Sequence, residues 1–268
     1  MEDAILDIRN ISKSFFRKTS GNNYVLHNFN LTIERQKITA LIGGNGTGKT
    51  TLFNIISGFL EPDKTNSSKI VFEGRKDLLK VPSWNIPRKG IGRLFQDAHI
   101  FPDLTILENM KVADSDNFGE TPLESIFFSR KIKRKEKKKE EKVMRIFTEL
   151  FGENSTFVKN SDMKAGDLSY GEQRLLSLAR LLTGDYRLIL LDEPTSGVNP
   201  KLIQKISEII RLMKSQGKTV FLIEHNMAFI RQTADEVAFI VNGKIHSKGT
   251  PETVLKDEFI IKNYLGIA

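Results

Sequence analysis

The strongest structural signal in the chain is the glycine-rich stretch Gly43-Gly44-Asn45-Gly46-Thr47-Gly48-Lys49-Thr50, which matches the pattern G-x-x-x-x-G-K-[ST]. In this pattern, backbone N–H groups surround phosphate oxygens at the N-terminus of a helix. The apolar run Ile38 to Gly43 predicts a strand that leads into the stretch. Apolar residues behind it repeat at helical spacing: Leu52, Ile55, Ile56 and Leu60. A glycine-rich turn without a ligand is the alternative, but a strand before and a helix after are the context that a phosphate loop requires.

Each residue type in this loop has a chemical reason. Glycine allows positive φ and a close approach of the backbone to a ligand. Lys49 supplies a point charge for the β- and γ-phosphates, and the hydroxyl of Thr50 is suited to Mg²⁺. We therefore predict that the loop binds ATP and Mg²⁺. The predicted nucleotide-binding residues here are Gly43, Gly44, Asn45, Gly46, Thr47, Gly48, Lys49, Thr50 and Thr51.

Two adjacent acids follow the apolar run Leu188 to Leu191, which predicts a buried strand. Ligands of such sheets bind at the carboxyl ends of the strands, so Asp192 is placed to hold Mg²⁺ directly or through water. Glu193 is then the natural general base for an attacking water. The alternative is that both acids merely begin the turn to Pro194.

The remaining pattern indicates an α/β protein. We predict further strands at Ile5 to Ile11, Phe29 to Ile33, Ile70 to Phe72, Ile91 to Phe95 and Thr219 to Ile223, helices from Lys201 to Lys214 and from Asn226, and a ribbon around Asn242-Gly243. Residues from Leu104 to about Leu182 have a helical pattern. We interpret the chain as one domain, in which 1–95 and 186–268 form a nucleotide-binding core and about 96–185 form a helical insertion.

The formal net charge of +8 is concentrated in one segment. Between Arg130 and Lys142 there are nine Lys or Arg and three Glu, a net charge of +6. The segment Lys131 to Leu150 changes from charged to amphipathic, with Val143, Ile146, Phe147 and Leu150 on one face. We predict an exposed helical arm and no nucleic-acid site; contact with anionic lipid is the alternative.

Composition also limits where the protein acts. The chain has no cysteine, which excludes disulfides and thiolate metal sites and suits a reducing cytoplasm. No apolar run approaches the roughly 18 residues that span a bilayer, and the start has acidic residues where a secretory signal is basic. We expect a cytoplasmic protein whose membrane role is peripheral.

A second anion site is indicated by Leu168-Ser169-Tyr170-Gly171-Glu172-Gln173, which precedes an apolar helix. Ser169 and Glu172 form the capping-box pattern S-x-x-E, and helix capping alone is the alternative interpretation. The helix start nevertheless offers Gly171 and unpaired N–H groups that the chain's own ATP does not need.

The order of these motifs resembles that of the ABC ATPases over almost the whole chain: the phosphate loop, Gln96, the segment 168–173, Leu191-Asp192-Glu193-Pro194 and His225. The resemblance implies a P-loop NTPase core with an N-terminal antiparallel β subdomain and an inserted helical subdomain. It also implies that Ser169, Gly171 and Glu172 complete the ATP site of a second subunit, identical or paralogous, so that two subunits clamp two ATP molecules head to tail.

Three further roles follow from the resemblance alone. Gln96 matches the family's coupling glutamine, which contacts Mg²⁺ or water and signals to the membrane partner. His225 matches the histidine that senses the γ-phosphate. Phe15 matches the aromatic residue that stacks on adenine, with Phe16 as the alternative; either could instead lie in the core.

Several segments are similar to the branched-chain amino acid importer ATPases: 95–97, 101–109, 165–171, 196–200, 223–227 and Tyr264-Leu265-Gly266. Tyr170 and Asn199 depart from the commoner ABC consensus but are similar to this subgroup. The resemblance implies transmembrane permease subunits, an extracytoplasmic solute-binding protein and a location on the inner face of the membrane. The alternatives are a urea-importer or lipopolysaccharide-exporter ATPase, an ABC protein acting on nucleic acid, or a nucleotide-gated module without turnover, against which Glu193 and His225 argue.

Overall fold

A computed structural model describes residues 3–17, 21–63, 67–97, 100–113 and 129–262. The strands are β1 (Ala4–Arg17), β2 (Gly21–Glu34), β3 (Ile38–Ile42), β4 (Lys69–Phe72), β5 (Lys76–Asp77), β6 (Ile91–Leu94), β7 (Leu188–Asp192), β8 (Thr219–Ile223), β9 (Glu236–Val241) and β10 (Lys244–Gly249). The helices are α1 (Lys49–Ile56), α2 (Ile106–Lys111), α3 (Ser129–Phe151), α4 (Thr156–Lys159), α5 (Tyr170–Thr183), α6 (Pro200–Ser215), α7 (Met227–Thr233), α8 (Pro251–Val254) and α9 (Glu258–Ile260).

The strands form two sheets. One has four antiparallel strands in the order β2-β1-β4-β5. The other has the order β10-β9-β3-β8-β7-β6, in which only β10 runs antiparallel to its neighbour. Every residue of β3, β7 and β8 is buried. Burial on both faces explains why these strands appear in the sequence as unbroken apolar runs.

The hydrophobic core combines residues of both sheets with α1. Phe53 of α1 lies against Phe221 of β8, with ring centroids 5.0 Å apart. The helix is shorter than its apolar repeat suggested, because it ends at Ile56 and Leu60 lies beyond it. Gly58 with a φ of 73° stands at this end, and such a residue readily terminates a helix.

The first hairpin is longer than predicted. The expected strand Ile5 to Ile11 continues to Arg17, where it pairs with Gly21 of β2. The pairing register shifts at several points along the hairpin. Such irregularities break the alternation of polar and apolar residues on which the prediction depended.

The chain divides into two compact units. The first comprises the described parts of Met1–Gln96, Arg187–Ser196 and Ile210–Ala268, and it contains both sheets. The second comprises those of Asp97–Tyr186 and Gly197–Ile209, and it is helical.

The helical unit has its own core. The four apolar residues predicted on one face of α3 are buried there: Val143, Ile146, Phe147 and Leu150. Phe147, Phe151 and Phe157 contact one another, with Phe151 stacked on Phe157 at 4.2 Å. In the preceding basic part of α3, Lys133, Arg134, Lys137 and Lys138 are exposed, whereas the side chains of Arg130 and Lys131 lie outside the described set. Of the helices that the structure describes, none is both long and apolar enough to cross a bilayer.

Candidate nucleotide site

The phosphate loop joins β3 to α1. Gly48 occupies the N-cap of α1 with a φ of 100°, and among the described residues no side chain caps this helix. A Cβ atom at Gly48 would lie 2.7 Å from the carbonyl oxygen of Val25, and one at Gly43 would lie 2.5 Å from that of Ile240. Both positions therefore require glycine for space, and the first N–H groups of α1 remain available to an anion.

Lys49 lies inside this loop. Its side chain is buried, and Nζ donates hydrogen bonds of 2.8 Å to the carbonyl oxygens of both Gly43 and Gly44. Burial lowers the pKa of Lys49, and the carboxylates of Glu193 and Asp192 oppose this by favouring the charged form. The ammonium group is thus held within the loop before any phosphate arrives.

The two acids after β7 have different environments. Asp192 is buried and forms an ion pair with Arg93, with 3.5 Å between Oδ2 and Nη2. Glu193 has a φ of 47°, a left-handed conformation that is unusual for a residue with a side chain. Its N–H donates to the carbonyl oxygen of Ile223 at the end of β8.

The three predicted catalytic side chains come together in one hydrogen-bonded group. Gln96 Nε2 donates to Oε2 of Glu193 at 3.2 Å, and His225 Nε2 lies 3.1 Å from Oε1 of the same carboxylate. Each carboxylate oxygen of Glu193 is therefore held by a different neighbour.

The other residues predicted to bind nucleotide, in the unit that contains both sheets, occupy accessible positions. Thr50 is exposed on the first turn of α1, Thr51 beside it and Thr47 are half-buried, and Asn45 and Gly46 are exposed on the loop. Phe15 is 43% exposed with Lys13 Nζ 5.6 Å from its ring centroid, so the core alternative for Phe15 is wrong. The side chain of Phe16 lies outside the described residues.

The helical unit carries the predicted second anion site at the start of α5. Ser169 is its N-cap, and the capping box is complete. Glu172 Oε2 accepts from Ser169 N at 3.0 Å and from Ser169 Oγ at 2.6 Å. Gly171 lies against Leu202, whose Cδ1 would be 2.4 Å from an added Cβ.

Arg93 was missed by the sequence predictions. Besides pairing with Asp192, it donates to Phe53 O and Ser57 Oγ at 3.1 Å and lies over the ring of Phe95, 4.4 Å from its centroid. Burial lowers the pKa of Arg93, while Asp192 raises it. Arg93 thus ties the end of α1 to the predicted Mg²⁺ ligand. A charged residue inside the apolar run Ile91 to Phe95 is the signal that pointed to it.

Glu224 was also missed. It is 3% exposed and follows the apolar strand β8 as Asp192 ends β7, so the same strand-then-acid pattern marked it. Its carboxylate accepts hydrogen bonds from Thr195 and from the backbone of His225.

The comparisons with known proteins agree with this geometry. The family model described as ABC transporter matches residues 26–196. The high-affinity branched-chain amino acid transport ATP-binding protein BraF of Pseudomonas aeruginosa is 31% identical, with 100% of both chains covered. A probable branched-chain amino acid transport ATP-binding protein of Archaeoglobus fulgidus is 34% identical over 98% of this chain and 95% of its own.

A solved structure extends the agreement to three dimensions. The ADP conformation of an ATP-binding cassette of an ABC transporter is 31% identical, with a TM-score of 0.78 over 98% of this chain and 99% of that one. The predicted α/β fold and the predicted family are confirmed. The chain therefore belongs to the ABC transporter family and is one of its ATP-binding, ATP-hydrolysing subunits.

Proposed function

We propose that this subunit binds MgATP at the phosphate loop, hydrolyses it with Glu193 as general base, and energises uptake of branched-chain amino acids through separate permease subunits. The observation that carries the chemistry is the group formed by Gln96, Glu193 and His225, in which both carboxylate oxygens of Glu193 are held. A base held in this way needs little reorganisation when the attacking water arrives.

In this proposal, Lys49, Glu193 and Phe15 have distinct roles. Phosphate oxygens would accept from the N–H groups of the loop and α1, and Lys49 would transfer its hydrogen bonds from Gly43 and Gly44 to the β- and γ-phosphates. Glu193 takes the proton of the attacking water. Phe15, with its exposed ring, is suited to stacking on the adenine.

The donor set fits Mg²⁺, which prefers oxygen ligands and retains several waters. Thr50 offers a hydroxyl, Asp192 a carboxylate and Gln96 an amide oxygen. Bound there, Mg²⁺ would neutralise charge between the phosphates. Arg93 forms an ion pair with Asp192, which limits the rotation of the carboxylate.

The catalytic unit is a head-to-tail dimer in this proposal. Ser169, Gly171 and Glu172 lie at the start of the helix α5, which the chain's own ATP does not require. The N-terminus of such a helix attracts anions. The partner is a second ATPase subunit, identical or paralogous, so each ATP contacts the phosphate loop of one subunit and residues 169–172 of the other.

The transported solute is assigned from the relatives. Both curated relatives described above are named for branched-chain amino acid transport and match this chain almost end to end. We further propose that the subunit acts in the cytoplasm, on the inner face of the membrane, with permease subunits and an extracytoplasmic solute-binding protein. Uptake of labelled leucine that depends on the intact gene tests the substrate, and co-purification from detergent-solubilised membranes tests the partners.

Coupling to the permease is proposed to pass through the segment Gln96 to Asn109, of which residues 98 and 99 lie outside the description. Asn109 is fully buried, and its side-chain amide accepts from Phe101 N and donates to the carbonyl oxygens of Phe101, Leu104 and Thr105. This fixed loop presents the ring of Phe101 with 47% exposure. An exposed aromatic on a rigid loop is suited to an interface.

The change Glu193→Gln tests the catalytic assignment. It removes the proton acceptor but keeps side-chain size and the loop contacts, so MgATP binding should persist while hydrolysis falls by about 10² to 10⁴. A matched control is Glu236→Gln, which alters a carboxylate paired with Lys37 and Lys248 at the start of β9. Hydrolysis at the parental rate by the Glu193→Gln protein would show that another group is the base.

A further inference from the structure

Glu224 is a buried carboxylate with an unusual set of partners. It is 3% exposed, and no ion pair joins it to a Lys, Arg or His side chain of the described residues. One oxygen, Oε1, accepts from Thr195 N at 2.9 Å and from Thr195 Oγ1 at 2.5 Å. The other, Oε2, accepts from His225 N at 2.8 Å and from Asn226 N at 3.1 Å. Hydrogen bonds of this number are the condition under which a carboxylate can be buried without a cation.

These four bonds join two segments that carry the chemistry. β7 and β8 are adjacent parallel strands, with Asp192 opposite Ile223. Glu193 and Thr195 follow β7, whereas His225 follows β8. Glu224 thus ties the backbone after Glu193 to the backbone that carries His225, and the two side chains meet at 3.1 Å.

We propose that Glu224 is a positioning residue that sets the contact between His225 and Glu193 for hydrolysis. This inference rests on the proposed function, in which Glu193 is the base. Glu224 does not take that role itself, because it is buried and both its oxygens already accept two hydrogen bonds.

The requirement is for a carboxylate in particular. An ionised carboxylate only accepts hydrogen bonds, whereas an amide has one accepting and one donating end. In Glu224→Gln, the NH₂ group must face either Thr195 N–H or the two N–H groups of His225 and Asn226. Either choice sets donor against donor, so one segment is released although side-chain volume is unchanged.

The central experiment compares the turnover number and nucleotide affinity of Glu224→Gln with those of the parent. We expect kcat to fall about 10- to 100-fold, the usual effect of a displacement near 1 Å at a reacting centre, with nucleotide affinity unchanged. Thr195→Ser keeps both the N–H and the hydroxyl that donate to Glu224, so it should retain the parental kcat. Thr195→Val loses the hydroxyl, so its kcat should lie between those of the parent and Glu224→Gln. The control Glu236→Gln should match the parent in both quantities.

A second measurement reports position rather than rate. The imidazole resonances of His225 should shift in Glu224→Gln, while those of His246, which lies by Asp257, should not. A parental kcat with unshifted His225 resonances would overturn the proposal while leaving Glu193→Gln as the separate test of the base. If Glu224→Gln fails to fold, Thr195→Val still decides, because parental turnover in that variant contradicts the positioning role.

Discussion

The beginnings of α1 and α5 are both proposed to bind phosphate, yet they are built in opposite ways. α1 begins at a glycine in the left-handed region, and among the described residues no side chain caps it. α5 begins at Ser169, whose hydroxyl and N–H are already bonded to Glu172. One helix start is open to a ligand, whereas the other is closed by its own side chains.

The difference indicates an order of events. The open start of α1 leaves its first N–H groups available to phosphate, and Lys49 has only to exchange its hydrogen bonds to Gly43 and Gly44 for bonds to phosphate. In the proposed function, nucleotide therefore binds first to the single subunit. At α5, the hydroxyl of Ser169 must leave Glu172 before it can donate to a phosphate. In the proposed function, Ser169 therefore acts second, when another subunit's ATP competes for its hydroxyl.

The largest effect should come from adding one methyl group at Gly48, the start of α1. In Gly48→Ala, the new Cβ meets the carbonyl oxygen of Val25 at 2.7 Å with φ at 100°, and neither can adjust without backbone movement. Together, the left-handed conformation and the overlap should cost about 2 to 5 kcal/mol in unfolding free energy and abolish nucleotide binding. Denaturant unfolding measures the unfolding free energy, and nucleotide titration measures the loss of binding.

The matched variant is Gly171→Ala in α5, where the added methyl meets only the end of the Leu202 side chain. Because a leucine side chain can change rotamer, the loss of unfolding free energy should be below about 1 kcal/mol. Equal losses of unfolding free energy in Gly48→Ala and Gly171→Ala would contradict this comparison. They would mean that the start of α1 does not depend on its backbone conformation more than the start of α5 does.

The next effect tests whether the open start depends on its lysine. Lys49→Met keeps most of the side-chain volume but removes the ammonium, so MgATP affinity should fall about 10- to 100-fold, the equivalent of a charged hydrogen bond worth 1.5 to 3 kcal/mol. Lys248→Met is the control, because Lys248 also donates to a backbone carbonyl, that of Thr32, away from the loop. Unchanged MgATP affinity in Lys49→Met would mean that backbone N–H groups alone bind the phosphates.

The same two helix starts show what could be predicted from the sequence. The phosphate loop and the capping box are local patterns, so both were recognisable before any tertiary structure was known. Buried strands such as β7 and β8 were predictable because their apolar runs are unbroken. The segment Tyr264-Leu265-Gly266, which contributed to the resemblance, lies outside the described residues.

Arg93 and Glu224 were not predictable in the same way. A single charged residue next to an apolar run has many interpretations, and its partners are separated from it by up to about a hundred residues along the chain. Their roles depend on which strands become neighbours, which is a property of the sheet order β8-β7-β6. Once that order is known, the contacts of Arg93 with Asp192 and of Glu224 with Thr195 can be recognised.

The smallest expected effect concerns the start of α5, which is closed by its own side chains. Glu172→Gln keeps an oxygen that accepts from Ser169 N but removes the negative charge that would face an incoming γ-phosphate. Because this side chain is only partly buried and solvent screens its charge, we expect the MgATP-dependent dimer of the Glu193→Gln protein to tighten only about two- to fivefold, and more at low salt. Size-exclusion chromatography with MgATP over a range of concentrations measures this, with the paralogue present if the chain pairs with one.

Ser169→Ala on the same background is the opposing variant. It removes the hydroxyl that would reach the phosphate, so the dimer should weaken, and loss of the N-cap should cost about 1 kcal/mol of unfolding free energy. Opposite signs for Glu172→Gln and Ser169→Ala would show that Glu172 competes with the phosphate for Ser169. If both variants weaken the dimer, Glu172 instead supports the nucleotide contact, because its charge then helps to hold Ser169 in the conformation that the partner's ATP requires.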